Sequence, residues 1–286
     1  MFELLKSAIP IIAPIFVVST MFNVGLTQRM SEIFGHLKNF PFVLKMLLAN
    51  FVIAPLLMML MLYLAPFEPA LKAGLLIFAL SAGAPFLIKL TQTAEHKISL
   101  GAAVMMLLMI GTVIYVPVVL PLILSGISVD AWHIAMSLGL QLLVPIAVGL
   151  AAVQLLPAFA RKLQPWIGRI GNITLYALIG ATLVGYLPNM LDIVGTGAIL
   201  VGLVFVLAAF GVGYLMGAGK DHLEDVGGLA TAQRNTAAGM IIAVQDFSNY
   251  PDVLVIITLA NTLGVVMLMF IAKGLSRDNK IETETV

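Results

Sequence analysis

The stretch that decides the fold of this chain is Gly227-Gly228-Leu229-Ala230-Thr231-Ala232-Gln233-Arg234-Asn235-Thr236-Ala237-Ala238-Gly239-Met240-Ile241-Ile242. It is long and apolar enough to lie in a bilayer, yet Gln233, Arg234 and Asn235 follow one another at its middle. An arginine at the centre of a bilayer costs about 2.5–3.5 kcal/mol on insertion scales. Such a residue must face protein, water or a ligand, and the rest of the chain indicates what Arg234 meets.

The composition places the whole chain in a membrane. Of its 286 residues, 61% are hydrophobic and 10% are charged, and the mean hydropathy is +1.08, whereas a soluble domain carries about 25% charged residues. The formal net charge of +1 gives no reason to expect a nucleic-acid partner. The absence of cysteine excludes disulfides, thiol redox chemistry and cysteine-based metal sites.

Nine apolar runs near the length of a bilayer crossing divide the chain, which we read as one transmembrane domain over residues 1–275 followed by a disordered cytoplasmic tail over 276–286. The predicted spans are 6–25, 42–65, 71–92, 98–124, 132–156, 167–187, 195–217, 226–246 and 253–273. Eleven of the fifteen Lys and Arg residues fall in loops on one side. By the positive-inside rule that side is cytoplasmic, which predicts an outside N-terminus and an inside C-terminus.

Two cations remain inside predicted spans, Lys89 and Arg234, while every Asp and Glu lies in a loop, in a terminus or at the end of a span. The third and eighth spans, which hold these cations, are both interrupted. The run Ser81-Ala82-Gly83-Ala84-Pro85 breaks the third, and the run of polar residues around Arg234 breaks the eighth. Small residues at Gly213, Gly217 and Gly219 predict a close helix approach nearby.

The places of the two breaks predict two inverted repeats, about 1–125 and 130–275, the first lacking its opening helix. Interrupted helices at matching positions in inverted repeats are typical of transporters with a binding site near the middle of the membrane. An intramembrane enzyme would need a nucleophile–base pair, paired acids or metal ligands at depth. The spans carry no His, Cys, Asp or Glu deep inside, so we predict that the protein is not an enzyme.

Five stretches carry a resemblance to a known family. They are Met21-Phe22-Asn23-Val24-Gly25-Leu26-Thr27, Ala49-Asn50-Phe51-Val52-Ile53-Ala54-Pro55, the break at 81–85, the Gln-Arg-Asn run at 233–235, and Ala260-Asn261-Thr262-Leu263-Gly264. In order and spacing the chain resembles a divergent bacterial-type member of the bile acid:sodium symporter family, whose members transport organic anions. The resemblance implies crossing broken helices, a panel of spans 1, 5 and 6, a core of spans 2, 3, 4, 7, 8 and 9, and location in a bacterial inner membrane.

The departures from the family concern its sodium sites. The family's glutamate before the Gln-Asn pair corresponds to Ala230 or Thr231, its glutamine in the second span to Asn50, and the glutamine of the pair to Arg234. The Ser-Asn pair at the first break corresponds to about Leu87-Ile88, and two hydroxyl ligands to Gly101 and Met105. The resemblance therefore implies that one sodium site is lost and that the other has exchanged its acid for a cation.

Three interpretations of Arg234 and Lys89 stay open at this point. They hold an anionic substrate, or they replace sodium by satisfying the carbonyl ends of half-helices, or Lys89 simply reaches toward the membrane surface. We assign five residues to substrate binding: Arg234, Asn235, Lys89, Asn261 and Gln233. Three further residues are sodium-site equivalents or structural support: Asn50, Thr231 and Thr262.

The function predicted from the sequence is a secondary transporter of an organic anion by alternating access, with no cofactor and with weak or absent sodium coupling. The alternatives are a sodium-coupled symporter of bile-acid-like anions and an anion channel lined by positive charge. A bile acid is only the family's label, and a small carboxylate or pantoate-like anion fits the same sequence. The lipid bilayer is the other expected partner.

Overall fold

The computed structural model describes residues 2–28, 30–124, 130–219 and 223–284, and within these ranges the chain is built of helices. Two helices contain one π-helical turn each, Ala49–Ile53 between α3 and α4 and Gly139–Leu143 between α8 and α9. In chain order the helices are α1 Phe2–Thr27, α2 Met30–Leu37, α3 Phe40–Leu48, α4 Ala54–Leu64, α5 Pro69–Leu80, α6 Phe86–Thr93, α7 Ile98–Ile123, α8 Ala131–Leu138, α9 Val144–Leu155, α10 Pro157–Gly185, α11 Leu187–Val194, α12 Ala198–Gly217, α13 Glu224–Ala232, α14 Thr236–Asp246 and α15 Pro251–Glu284.

Seven helical segments of the described chain are long and apolar enough to cross a membrane. They are Glu3–Thr27, Phe40–Leu64, Ile98–Ile123, Ala131–Leu155, Pro157–Gly185, Ala198–Gly217 and Pro251–Ser276. The two remaining predicted spans, 71–92 and 226–246, are the interrupted ones, and each is divided into two short helices, α5 with α6 and α13 with α14. Both interruptions predicted from the sequence are therefore present.

Two helix boundaries differ from the prediction. The sixth span, predicted from residue 167, lies in α10, which begins at Pro157 because proline is favourable in the first turn of a helix and Arg161 and Lys162 are good helix formers. The last helix, α15, continues to Glu284 and so extends past Ser276, where the predicted tail begins. Four charged residues of that stretch are good helix formers, namely Arg277, Lys280, Glu282 and Glu284.

Some residues used in the topology prediction lie outside the described residues. They are Arg29, Lys220, His222, residues 125–129 of one predicted turn and residues 285–286 of the tail. Two short helices, α2 and α11, occupy stretches predicted to be loops. Neither is long enough to cross a bilayer.

Packing separates the helices into two groups. In one group α1 packs along α9 and α10. In the other, α12 packs along α13, and α15 packs against α5, α12 and α14. The close approach of α12 and α13 depends on Gly213 and Gly227, because a Cβ on Gly227 would lie 2.5 Å from the carbonyl oxygen of Gly213.

Candidate functional site

The two interrupted helices meet at their breaks. Ala82 and Arg234 form an isolated antiparallel bridge, and the backbone N–H of Asn235 donates to the carbonyl of Ser81 over 2.8 Å. Four helix ends therefore converge on one small region, the C-termini of α5 and α13 and the N-termini of α6 and α14. We call this region, residues 81–85 and 233–235, the crossing.

Gly83 explains why the first helix breaks where it does. Its φ of +79° lies in the left-handed region, where glycine is favoured over residues that carry a Cβ. A Cβ at this position would also lie 2.6 Å from the carbonyl oxygen of Met105 and 2.7 Å from the carbonyl carbon of Leu108, both in the backbone of α7. The break is therefore seated directly on the backbone of α7.

Thr112 of α7, which was not among the predicted site residues, holds the first break in place. Its hydroxyl accepts a hydrogen bond from the Ala82 N–H at 2.9 Å and donates to the Ala82 carbonyl at 3.0 Å. One buried side chain thus satisfies both backbone groups of a residue that has left the helix, as burial in a membrane requires. The only signal in the sequence is a single threonine in an apolar helix, and such residues usually bond to their own helix.

Asn235 connects the two breaks and begins α14. Its side-chain oxygen accepts from the N–H of Ala238, which makes it the N-cap of α14, and its amide nitrogen donates to the carbonyl of Gly83 at 3.0 Å. The residue is buried. Asparagine suits this place because a single amide supplies the acceptor for a helix start and a donor for the facing chain.

Arg234 lies at the centre of the crossing, and its side chain is only 1% exposed. Its Nη1 donates to the carbonyl of Ala79 over 3.0 Å, and its Nη2 donates to the carbonyl of Thr231. The guanidinium also lies 5.2 Å from the ring centre of Phe205, a cation–π distance. Within the described part of the chain, no carboxylate is paired with it.

The carbonyls of Ala79 and Thr231 are the ones that lose their helical hydrogen-bond donors at the two breaks. In an unbroken helix Ala79 would accept from the N–H of Gly83, and Thr231 from the N–H of Asn235, because helical bonds run from residue i to i−4. The N–H of Asn235 instead bonds to Ser81. The guanidinium of Arg234 supplies the missing donor at both breaks at once, and its charge lies at the negative ends of two half-helices.

Asn50 and Thr231, predicted as sodium-site equivalents, contact each other. The amide nitrogen of Asn50 donates to the hydroxyl of Thr231 at 3.1 Å and to the carbonyl of Met46 at 3.0 Å. Asn50 lies in the π-helical turn Ala49–Ile53, which ends just before Pro55. Both side chains are fully buried, so they link the second span to α13 just before the second break.

Gln233 completes the polar lining of the crossing. Its amide nitrogen donates to the carbonyl of Arg234 at 3.2 Å. Three buried acceptor groups in this region have no hydrogen-bond partner among the described residues: the side-chain oxygens of Gln233, Ser81 and Asn50. Buried polar atoms are normally satisfied, so these atoms are free to accept from a bound water or ligand.

The other predicted site residues lie elsewhere. Lys89 is exposed on α6, and its Nζ lies 3.3 Å from the side-chain oxygen of Gln92. Asn261 and Thr262 are partly buried on α15. The five residues predicted for substrate binding are thus divided: Gln233, Arg234 and Asn235 lie within the crossing, whereas Lys89 and Asn261 do not share its burial.

The chemistry that this arrangement allows is electrostatic. The crossing brings one fixed positive charge, two helix N-termini and several amides into a buried volume, and groups of three His, Cys, Asp or Glu that could hold a metal ion are absent from the described residues. In the comparison with protein families, a family model described as the sodium bile acid symporter family matches residues 14–193. This range includes the first break and ends before the second. A search of curated proteins gives no match.

Proposed function

Since the chain belongs to the sodium bile acid symporter family and is a membrane transporter, we propose that it is a secondary transporter that moves an organic anion by alternating access. We further propose that sodium coupling is weak or absent. The protein has nine membrane crossings, an outside N-terminus and an inside C-terminus in this proposal, and it lies in a bacterial inner membrane. The seven long helices and the two interrupted pairs provide the crossings.

The bonding of Arg234 is the observation that carries the proposal on sodium. A sodium ion at the carbonyl end of a half-helix would bind through the same oxygens that the guanidinium contacts, those of Ala79 and Thr231. A second cation beside a buried guanidinium is repelled by it. The positions that correspond to the family's acid, Ala230 and Thr231, offer no carboxylate to offset that repulsion. The donor set therefore fits a sodium ion poorly.

The preference for an anion is supported by the helix ends. The N-termini of α6 and α14 begin at the breaks and bring positive partial charge to the crossing. Lys89 lies one turn into α6. In the proposal the anion lies at the edge of the crossing, where Gln233 and Asn235 border it from within and Lys89 and Asn261 from outside. The charge of Arg234 acts from behind the crossing.

Alternating access is supported by the division of the packing. The helices α1, α9 and α10 form one packed group, and they correspond to the panel of spans 1, 5 and 6. The crossing belongs entirely to the other group, which corresponds to the core. A substrate site held by one group and covered by the other can be opened to either side by their relative movement.

Uptake by purified protein in liposomes tests the proposal. The labelled probes are taurocholate, pantoate and succinate, each offered with a sodium gradient or with N-methylglucamine in place of sodium. We expect uptake of at least one probe at the same rate in both salts. Strong stimulation by sodium would show that the protein is a sodium-coupled symporter, and unitary currents in planar bilayers would show a channel.

Substitution of Arg234 links this assay to the site. Arg234→Gln places at this position the amide that the sodium-binding members of the family carry, and it leaves the carbonyls of Ala79 and Thr231 without their charged donor. We expect it to abolish uptake in N-methylglucamine while the protein still inserts and elutes as a single species. Arg234→Lys is the matched control, because it keeps the charge but cannot span two carbonyls with one planar fork. Full uptake by Arg234→Gln would reject the proposed role.

A further inference from the structure

Two polar contacts join α8 to α14. The Nδ1 of His133 lies 2.7 Å from Oδ1 of Asp246, and the hydroxyl of Ser137 donates to the side-chain oxygen of Gln245 at 2.6 Å. His133 and Ser137 are one helical turn apart, so they lie on the same face of α8. Their partners are consecutive residues at the C-terminal end of α14. The contacts are thus a matched pair between two helix ends.

Asp246, the carboxylate of the first contact, is buried in the protein. The side chain of Asp246 is 6% exposed, and its second oxygen is buried without a partner among the described residues. The side chain of His133 is 54% exposed, so it reaches the carboxylate from the water-facing edge. Asp130 caps α8 by accepting from the N–H groups of Trp132 and His133, which fixes the start of the helix beneath the contact.

The two helices continue into different packing groups, although α8 itself packs against α7 and α14. The π-helical turn that follows α8 packs against α1, and α8 continues into α9, a neighbour of α1 and α10. The helix α14 is the second half of an interrupted helix whose first half, α13, packs against α12, α3, α6, α7 and α15. The second half, α14, is the part of this interrupted helix that packs against α1 and α8. Within the described residues, the two groups thus meet on the side of the crossing where α14 ends.

We propose that His133, Ser137, Gln245 and Asp246 form a latch that closes one face of the transporter in this conformation. This inference rests on the proposed alternating access. By the distribution of cations the closed face is the outer one, so the structure represents a state closed to the outside. Opening to the outside then requires that both contacts break, and closing re-forms them as the two groups come together.

Reversible cross-linking tests the latch during transport. The chain has no cysteine, so the pair His133→Cys and Asp246→Cys can be joined by a short bifunctional methanethiosulfonate without side reactions. We expect cross-linking to stop uptake of the probe anion and reductant to restore it. The matched control is Asn23→Cys with Gln164→Cys, which replaces a 3.0 Å contact between α1 and α10 inside one group. Uptake that continues through the cross-linked latch would overturn the proposal.

A labelling assay tests the latch without transport. Ile134 is buried on the same side of α8, and Ile134→Cys should react slowly with a membrane-impermeant maleimide applied from outside. Adding Asp246→Asn should speed the reaction by about three- to tenfold. This is the change expected when a contact between the two groups of helices is weakened. Glu3→Gln is the control, because it removes an ion pair within one helix, between Glu3 and Lys6.

The two assays separate this inference from the proposed function. Faster labelling in Asp246→Asn supports the latch even if the protein takes up none of the probe anions, an outcome that would reject only the proposed substrates. Labelling that is unchanged by Asp246→Asn overturns the latch even if uptake is observed. An exchanged pair, His133→Asp with Asp246→His, should return labelling to the slow rate, since it restores the contact between an imidazole and a carboxylate.

Discussion

The substitution Gly83→Ala should destabilise the protein strongly, although it adds a single methyl group. A residue with a Cβ pays about 1–2 kcal/mol to adopt the left-handed conformation that Gly83 holds. The added Cβ would also lie 2.6 Å from the carbonyl oxygen of Met105, and backbone atoms of α7 cannot rotate away as a side chain can. Overpacking of this kind costs about 1–3 kcal/mol. Together the two effects give a loss of about 2–5 kcal/mol.

Heating followed by fluorescence-detected size exclusion in detergent measures this loss. For a domain near this size about 1 kcal/mol shifts the melting temperature by roughly 2–4 °C, so we expect a fall on the order of 10 °C. Gly211→Ala is the matched control. Gly211 lies in α12, and a Cβ added there would have no atom within 4 Å. Alanine is also favoured over glycine in a helix by about 1 kcal/mol.

The outcome separates two views of the first break. If Gly83→Ala has the same melting temperature as the wild-type protein, then the break does not pack on the backbone of α7 as described, and the geometry of the crossing is wrong. If Gly211→Ala is also destabilised, then the fall for Gly83→Ala cannot be assigned to its contact with α7. A lower melting temperature for Gly83→Ala, with that of Gly211→Ala unchanged, supports the packing of the first break against the backbone of α7.

Two other substitutions distinguish structural from transport roles. Thr112→Val keeps the shape of the side chain but leaves both backbone groups of Ala82 without partners, so it should cost about 2–4 kcal/mol in the same melting assay, whereas Thr112→Ser should stay close to wild type. A valine variant as stable as the serine variant would contradict this role. Lys89→Gln should leave stability unchanged, because Lys89 is exposed, and should raise the KM for the probe anion in liposome uptake. Lys162→Gln, an exposed cation on α10, is its control, and equal KM values in both variants would remove Lys89 from the substrate site.

Much of the architecture follows from the sequence because a bilayer imposes strict rules. Backbone groups in lipid must be bonded within the protein, so apolar runs become helices of predictable length. The same rule makes polar residues and Gly-Pro pairs inside such runs visible as interruptions. For this reason both breaks, at Gly83 and around Arg234, were predicted where the structure has them. The extension of α10 and α15 into charged residues was missed, because hydropathy does not report where a helix ends in water.

The partners of Arg234 were decided only by the tertiary structure. The sequence shows a cation without a nearby carboxylate, and that pattern fits both an anion site and a substitute for sodium. The choice depends on which atoms the guanidinium reaches. Ala79, 155 residues away in sequence, presents its carbonyl only because two helices break at the same depth and cross.

The sequence by itself determined that this protein is a membrane transporter with two interrupted helices, since composition, periodicity and motif order are local properties of the chain. Only the tertiary structure decided how the breaks are held together, through Thr112 on α7 and the two carbonyls that Arg234 bonds. It alone paired His133 with Asp246. The physical reason is that a hydrogen bond requires two groups within about 3 Å, and residues far apart in sequence reach that distance only when the helices have packed.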